Sequence, residues 1–240
     1  MSFPGFWIRH ALLPLLTFAV LAILIEGTGL DLRLSDAWYD AAVKAFPYRH
    51  AWWADDLLHD RGRDLVGLVV LAALVIWGAA GRGARWALLD RWRPWRRRAL
   101  YLALTVLLSA GAAGVGKAFS DRHCPWDVDR YNGHAPYAPL FTSLPQEVEP
   151  GHCFPSSHAA TGFGLLGLYF VFLDRSRRAA WVGLGIGLGV GGLFSFAQLV
   201  RGAHFLSHDL WSAALCWAIA LALYKGAFRG DLSDADPRLV

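Results

Sequence analysis

Charged residues are scarce in this chain of 240 residues. Asp, Glu, Lys and Arg make up 18% of it and apolar types 55%, whereas soluble domains average about 25% and roughly 45–50%. The 12 Trp and the 25 Gly without a regular period exclude disorder and a collagen-like repeat, and sustained charged heptads are absent. Three cysteines are too few for a disulfide scaffold. The apolar residues form blocks, which is typical of an integral membrane protein.

Six apolar stretches are candidate membrane-spanning helices, since a span needs about 20 mostly apolar residues. We predict spans at Phe6–Gly27, Leu65–Gly81, Ala99–Gly116, Ala159–Leu173, Ala180–Val200 and Leu210–Phe228. The fourth is short, and the glycines between Gly183 and Gly192 in the fifth permit close helix packing. The predicted fold class is all-α, a single membrane-embedded domain over residues 1–240 built as a bundle of six transmembrane helices.

Basic residues between the apolar blocks predict the orientation, because loops rich in Lys and Arg stay on the cytoplasmic side. The connection 82–98 holds seven Arg and one Asp. If this loop is on the cytoplasmic side, the other basic clusters lie on that side as well, and both termini are cytoplasmic. The periplasm of a bacterial-type inner membrane is then faced by segments 28–64, 117–158 and 201–209. This topology accounts for the net charge of +4, so no nucleic acid partner is expected. A cleaved signal peptide is the alternative for the first apolar run.

The first outer segment mixes aromatic and charged residues, among them Trp52, Trp53, Asp55 and Asp56. Such a mixture is typical of an amphipathic helix in the plane of the membrane interface. We therefore predict an outer interfacial cap over Leu30–Asp64. Eight of the nine histidines lie in the three outer segments, which concentrates titratable side chains on one face of the membrane.

Three outer stretches begin or end a predicted span, so a compact bundle brings them together at its outer rim. They are Lys117–Asp127, Cys153–His158 and Arg201–Asp209. Serine before an apolar helix can cap it while the first backbone N–H groups face outward, and this arrangement binds anions. Together with the lysine and arginine side chains, the helix start suits a phosphate.

Histidines supply what phosphate chemistry needs, a nucleophile and a general acid. His204 and His208 are one helical turn apart, so His208 is placed to orient His204. Six outer histidines also suggest a zinc site as an alternative (His123, His134, His152, His158, His204 and His208). No carboxylate separates His204 from His208 as in a His-Glu-x-x-His motif, and a nearby Lys and Arg would repel a cation.

The three stretches resemble the type 2 phosphatidic acid phosphatase family, whose signature reads Lys-x6-Arg-Pro, then Pro-Ser-Gly-His, then Ser-Arg-x5-His-x3-Asp. Lys117 is followed after six residues by Cys124 and Pro125, so cysteine replaces the first arginine. The second motif reads Pro155-Ser156-Ser157-His158. In the third, His204 matches while Ala197, Gln198 and His208 replace serine, arginine and aspartate. The resemblance places the motif-bearing core at about 99–228.

This resemblance implies a lipid phosphatase that needs neither metal nor cofactor. His204 would be the nucleophile that forms a phosphohistidine, His158 the general acid, and Lys117 and Ser156 phosphate ligands. The expected substrate is a lipid-linked phosphate monoester or diphosphate, reached at the periplasmic face, and membrane lipids are the expected surroundings. The sequence does not choose among such lipids, and it leaves the oligomeric state open.

Several roles are our own additions to the resemblance. We expect Ser157 to bind phosphate beside Ser156, and Arg201 to replace the lost guanidinium. Arg122 and Arg130 are further candidates to compensate for the arginine, and Asp209 is a candidate to compensate for the lost aspartate. Either His208 or Asp209 would orient His204. An inactive relative, a phosphotransferase with the same intermediate and a transporter with an outer anion site remain alternatives, although predicted spans almost without ionisable residues argue against a transporter.

Cys124 and Cys153 belong to two motifs that must meet at one site. An oxidising periplasm would let them pair, so we predict a disulfide, with two free thiols as the alternative. The disulfide would tie the Lys117 loop to the start of the His158 helix. The loop between these motifs is rich in proline, and we expect it to form an ordered lid over the site.

Overall fold

The structure is a computed structural model that describes residues 3–80 and 91–228. Within these ranges the chain is helical apart from turns, loops and two isolated bridges, Asp40 with Ala45 and Val128 with Ala135. The helices are α1 (Gly5–Gly27), α2 (Leu30–Asp36), α3 (Trp53–Ala79), α4 (Arg93–Ala118), α5 (Ser157–Leu173), α6 (Arg177–Val200) and α7 (Leu206–Gly226). The predicted all-α class is confirmed for the described residues.

Five of these helices, α1, α3, α4, α6 and α7, are long and apolar enough to cross a membrane. They correspond to five of the six predicted spans. The remaining prediction falls on α5, which at 1.5 Å per residue is about 25 Å long and therefore shorter than a hydrocarbon layer of about 30 Å. A bundle of six spans is thus not confirmed; the described ranges hold five candidates.

Helix α5 lies inside the bundle, packed against α4, α6 and α7. Buried side chains follow one another along its whole length, from His158 to Val171. A helix that is apolar on every side belongs in a protein interior. Because other helices cover α5, its length need not match the bilayer.

The glycines of α6 allow α5 to approach closely. A Cβ atom on Gly187 would lie 2.6 Å from the backbone nitrogen of Leu166, and one on Gly183 would lie 2.8 Å from the backbone carbonyl carbon of Leu168. No real side chain fits at these distances, so the small residues set the spacing of the two helices. This contact positions the first turn of α5, which carries His158.

Helix α3 begins at Trp53, well before the predicted start of the second span at Leu65. Asp55 and Asp56 occupy its first turn, where negative charge interacts favourably with the helix dipole. The segment predicted as one interfacial cap therefore comprises α2, a series of turns and the beginning of α3. The helical cap is not confirmed, and its charged residues after Trp53 belong to a helix that packs against α6.

The loop between α4 and α5 folds over the end of the bundle. Arg122 is buried in this loop, where its guanidinium donates hydrogen bonds to the carboxylate of Asp121 and to the backbone carbonyls of Ala138 and Thr142. A disulfide joins Cys124 to Cys153 at the base of the loop, with their Cα atoms 5.2 Å apart. It is the pair that the sequence predicts, and it holds the end of α4 near the start of α5.

Candidate active site

A cavity of about 390 Å³ lies where α4 and α6 end and α5 and α7 begin. The side chains that line it are His59, Arg63, Lys117, Cys124, Trp126, Ser157, His158, Thr161, Gln198, Arg201, Ala203 and His204. Basic and imidazole groups dominate this lining, and among the described residues it includes no carboxylate. Such a surface is suited to an anion.

The structure brings most of the predicted site residues to this one cavity. Lys117, Ser157, His158, Arg201 and His204 line it. The other predicted residues, Ser156, His208 and Asp209, are buried behind the lining. Their positions indicate structural support for the lining residues rather than direct contact with a ligand.

Ser156 is the N-cap of the helix that carries His158. Its hydroxyl accepts a hydrogen bond of 3.4 Å from the backbone N–H of Ala159, and the side chain is fully buried. The sequence left open whether Ser156 or Ser157 caps the helix. Ser156 is the cap, and Ser157 is the serine that lines the cavity.

The imidazole of His158 is held between two other rings. Its centroid lies 4.3 Å from that of Phe194, in a nearly parallel stack, and 4.5 Å from that of His59. The imidazole also donates a hydrogen bond to the backbone carbonyl of Leu58, whereas Nε2 is buried without a hydrogen-bond partner. Nε2 is therefore the ring nitrogen that has no partner within the described protein.

His204 lies in the short connection between α6 and α7. Its Nδ1 atom is 3.5 Å from the sulfur of Cys153. A disulfide sulfur has no proton to donate, so a hydrogen bond at this contact requires the proton to be on Nδ1. This tautomer leaves the lone pair on Nε2, as a nucleophilic histidine needs.

The surroundings of His204 favour its neutral form. Burial lowers the pKa of His204 well below the usual 6.5, and the positive charge of Lys117 lowers it further. A neutral imidazole can attack phosphorus, whereas an imidazolium cannot. The same environment that desolvates His204 therefore keeps it in its reactive state near neutral pH.

His208 and Asp209 support different neighbours. The ring centroid of His208 lies 6.0 Å from that of His204, and its Nδ1 atom is buried without a partner. Asp209 is buried and interacts electrostatically with Lys117. Of the two residues that the sequence offers for orienting His204, His208 is thus the ring beside it, whereas Asp209 lies near Lys117.

Arg201 lines the cavity, but other groups already hold its guanidinium. Its Nη2 atom lies 2.6 Å from Oδ1 of Asp55, and its Nε donates a hydrogen bond of 3.1 Å to the carbonyl of Arg49. The third nitrogen, Nη1, is 3.5 Å from Oε1 of Gln198. The start of α3 and the turn before it therefore fix the position of Arg201.

A zinc site would need several ligand atoms close together. Those of Cys153, His204 and His208 lie within 4.8 Å of one another. Because Cys153 is bonded to Cys124, its sulfur is not a thiolate, and two imidazoles are left in this group. His123 instead faces His134, with ring centroids 5.9 Å apart, and Nδ1 of His152 is 3.0 Å from the carbonyl oxygen of Lys117.

The chain was compared with protein families, curated proteins and solved structures. A family model described as the PAP2 superfamily matches residues 98–230, more than half of the chain. The chain belongs to the PAP2 superfamily. Neither the curated proteins nor the solved structures contained a match. Membership of the PAP2 superfamily supports a phosphatase that acts on phosphate esters, in a chain whose helices are typical of a multi-pass membrane protein.

Two cavity residues that the sequence analysis missed come from outside the region matched by the PAP2 model. His59 and Arg63 lie on α3. The segment His59–Asp64 mixes basic and acidic residues directly before an apolar run, and this mixture is the available signal. It was attributed to an interfacial cap because the second span was expected to start at Leu65.

PAP2 motifs have arginine at two positions where this chain has Cys124 and Gln198. Gln198 lines the cavity, and its Nε2 atom is buried without a hydrogen-bond partner. Arg122 is bound within its loop, and Arg130 pairs with Asp36 at 2.7 Å. Neither of these two arginines lines the cavity, so compensation by them is not supported by the geometry.

Proposed function

We propose that this protein is an integral membrane phosphatase that hydrolyses a lipid-linked phosphate at the periplasmic face through a phosphohistidine. The observation that carries the proposal is the presence of His204, His158 and Lys117 on one cavity whose described lining has no carboxylate. A negatively charged wall would repel phosphate, whereas this wall attracts it.

The residues have complementary roles in the proposed reaction. Lys117, Ser157 and the N–H groups of the first turn of α5 bind the phosphate oxygens. The Nε2 atom of His204 attacks phosphorus, the bond from phosphorus to the leaving oxygen breaks, and His158 donates its proton to that oxygen. Burial lowers the pKa of His158, and the neighbouring His59 and Arg201 lower it further, to about 3, so His158 is neutral when no anion is bound. The negative charge of a bound phosphate opposes this shift and favours the protonated form that the step requires.

The second half of the reaction regenerates the enzyme. His158, now neutral, takes a proton from water while the water oxygen attacks the phosphohistidine. The N–P bond breaks, inorganic phosphate leaves, and His204 returns to its neutral form. None of these steps needs a metal ion.

A lipid substrate follows from where the cavity lies. Lys117 is in the last turn of α4, and His158 and His204 lie where α5 begins and just before α7 begins, which supports a cavity near the depth of the membrane interface. A substrate with its chain in the bilayer can place its headgroup there. A soluble substrate would not need this depth.

Basic residues at the opposite end of the bundle support the periplasmic orientation. Arg98, near the start of α4, donates a hydrogen bond to the carbonyl of Val171 near the end of α5. The guanidinium of Arg175 lies 4.9 Å from the ring centroid of Trp95. Since Lys- and Arg-rich ends stay in the cytoplasm, the cavity end faces outward.

Phosphate release by the purified protein tests the reaction. With phosphatidate and a prenyl diphosphate as substrates, we expect release that survives EDTA and disappears in His204→Ala. His134→Ala is the matched control, because His134 is exposed and does not line the cavity. Loss of release in EDTA would favour the zinc alternative, and release unchanged in His204→Ala would refute the assigned nucleophile.

Cysteine labelling of intact cells tests the orientation. Ser143 and Arg178 are exposed at opposite ends of the bundle. With a membrane-impermeant maleimide, we expect Ser143→Cys to be labelled and Arg178→Cys to be protected until the cells are lysed. The reverse pattern would place the cavity in the cytoplasm.

A further inference from the structure

One side of the cavity is built by residues that do not belong to the superfamily motifs. His59 and Arg63 of α3 and Arg201 from the end of α6 lie there. Arg201 is held from behind by Asp55, at 2.6 Å. The carboxylates of this region are not part of the described lining, whereas these three side chains are.

The groups that surround His204 differ from those that surround His158. The charged or titratable groups that act on His204 are Lys117, His208 and His158. Those that act on His158 are His59, Arg201 and Arg63, and the ring of His59 touches that of His158, with centroids 4.5 Å apart. Lys117 is thus a neighbour of His204, and the α3 residues are neighbours of His158.

This order has a chemical meaning if His204 is the nucleophile and His158 the acid. The phosphorus under attack must lie next to His204, and the leaving oxygen next to His158. The remainder of the leaving group then lies beyond His158, against His59, Arg63 and Arg201. A neutral alcohol has no charge to pair with two guanidinium groups, whereas a phosphate forms ion pairs and bidentate hydrogen bonds with them.

Arg63 forms two long ion pairs and is largely exposed. Its Nη2 atom lies 3.7 Å from a carboxylate oxygen of Asp60 and 3.8 Å from one of Asp64, beyond hydrogen-bonding distance, and its side chain is 57% exposed. Arg201, by contrast, is fixed by Asp55 and Arg49. The leaving-group side therefore combines one fixed guanidinium with one that can turn toward a ligand.

We propose that the side of the cavity formed by Arg63 and Arg201 binds a phosphate leaving group, so that the preferred substrate is a lipid diphosphate and Arg63 determines this specificity. This inference rests on the proposed function. His204 attacks the terminal phosphorus, the bond from that phosphorus to the bridging oxygen breaks, and His158 protonates this oxygen. The lipid monophosphate leaves, and water then releases inorganic phosphate from His204.

Two substrates with one prenyl chain test the proposal, farnesyl diphosphate and farnesyl monophosphate. The measured quantity is the ratio of their kcat/KM values for phosphate release by the purified protein. An anhydride is intrinsically more reactive than an ester, so the decisive result is the change of this ratio in a variant. Loss of one charge-assisted hydrogen bond predicts that Arg63→Gln lowers the ratio about tenfold to hundredfold.

Two further variants make the test specific. Arg63→Lys keeps the charge and should recover part of the ratio. Arg61→Gln removes a neighbouring arginine that is exposed and does not line the cavity, and its ratio should equal that of the wild type. An unfolding transition equal to that of the wild type shows that each variant is folded.

The outcomes separate this inference from the proposed function. An unchanged ratio in Arg63→Gln, whether kcat/KM falls equally on both substrates or on neither, would overturn the diphosphate assignment. The proposed phosphatase function would remain valid in that case. Hydrolysis of phosphatidate without hydrolysis of farnesyl diphosphate would also overturn the diphosphate assignment. No release of phosphate from any of the three lipids would refute the proposed function itself.

Discussion

Removal of the disulfide between Cys124 and Cys153 should lower both stability and activity. The perturbation is the double substitution Cys124→Ala with Cys153→Ala. The two cysteines are 29 residues apart in the sequence. Closing a loop of this length removes about 3.6 kcal/mol of conformational entropy from the unfolded chain.

That value is an upper limit for a membrane protein, because the unfolded state in detergent keeps part of its helical structure and has less entropy to lose. Chains of this size lose about 2–4 °C in melting temperature for each kcal/mol. We therefore expect the double variant to unfold several degrees below the wild type, with about 14 °C as the largest shift.

Activity should fall together with stability. The sulfur of Cys153 lies 3.5 Å from Nδ1 of His204 and 3.1 Å from the carbonyl oxygen of Ala203. Without the disulfide, neither the loop nor the tautomer of His204 is held in place, so kcat/KM should decrease even below the melting temperature.

Thermal unfolding and phosphate release of the detergent-solubilised protein, each with and without a reductant, provide the assay. Reduction of the wild type should reproduce the behaviour of the double variant, and the double variant itself should not respond to the reductant. A double variant with the melting temperature and kcat/KM of the wild type would refute the reasoning.

Other predictions concern the charges around the site. Lys117→Met removes the positive charge that helps to lower the pKa of His204. Because only neutral His204 attacks, the acidic limb of the kcat/KM profile should lie below pH 6.5 in the wild type. The same limb should move to higher pH in the variant. A limb that does not move would contradict this coupling. Asp55→Asn breaks the partly buried ion pair with Arg201 and should destabilise the protein by about 1–3 kcal/mol, together with a lower kcat/KM. Unchanged thermal unfolding and kinetics would show that the pair does not position Arg201.

Short motifs at helix ends made part of the site predictable. Lys117, His158 and His204 each lie where a helix ends or begins, and the spacing within each motif is a local property of the sequence. Apolar runs likewise identified the five candidate spans. The prediction that α5 spans the membrane is not confirmed. Apolar composition does not distinguish a helix buried among other helices from a helix in contact with lipid.

Contacts between distant parts of the chain were not predictable in this way. The ion pair of Arg201 with Asp55 and the ring contact of His158 with His59 join residues far apart in sequence. Both depend on where α3 begins, and its charged first turns resemble an interfacial segment. The burial of Ser156 likewise follows from capping geometry, which favours either of two adjacent serines until the backbone is known.

Trapping the phosphorylated enzyme is the most direct test of the central claim. Protein mixed with a lipid phosphate that carries labelled phosphorus, then quenched in base within one turnover, should hold a label that survives base, is lost in acid and maps to His204. EDTA should not reduce it, and His204→Gln should abolish it. A label on another residue, or full turnover without any labelled enzyme, would contradict a phosphohistidine at His204.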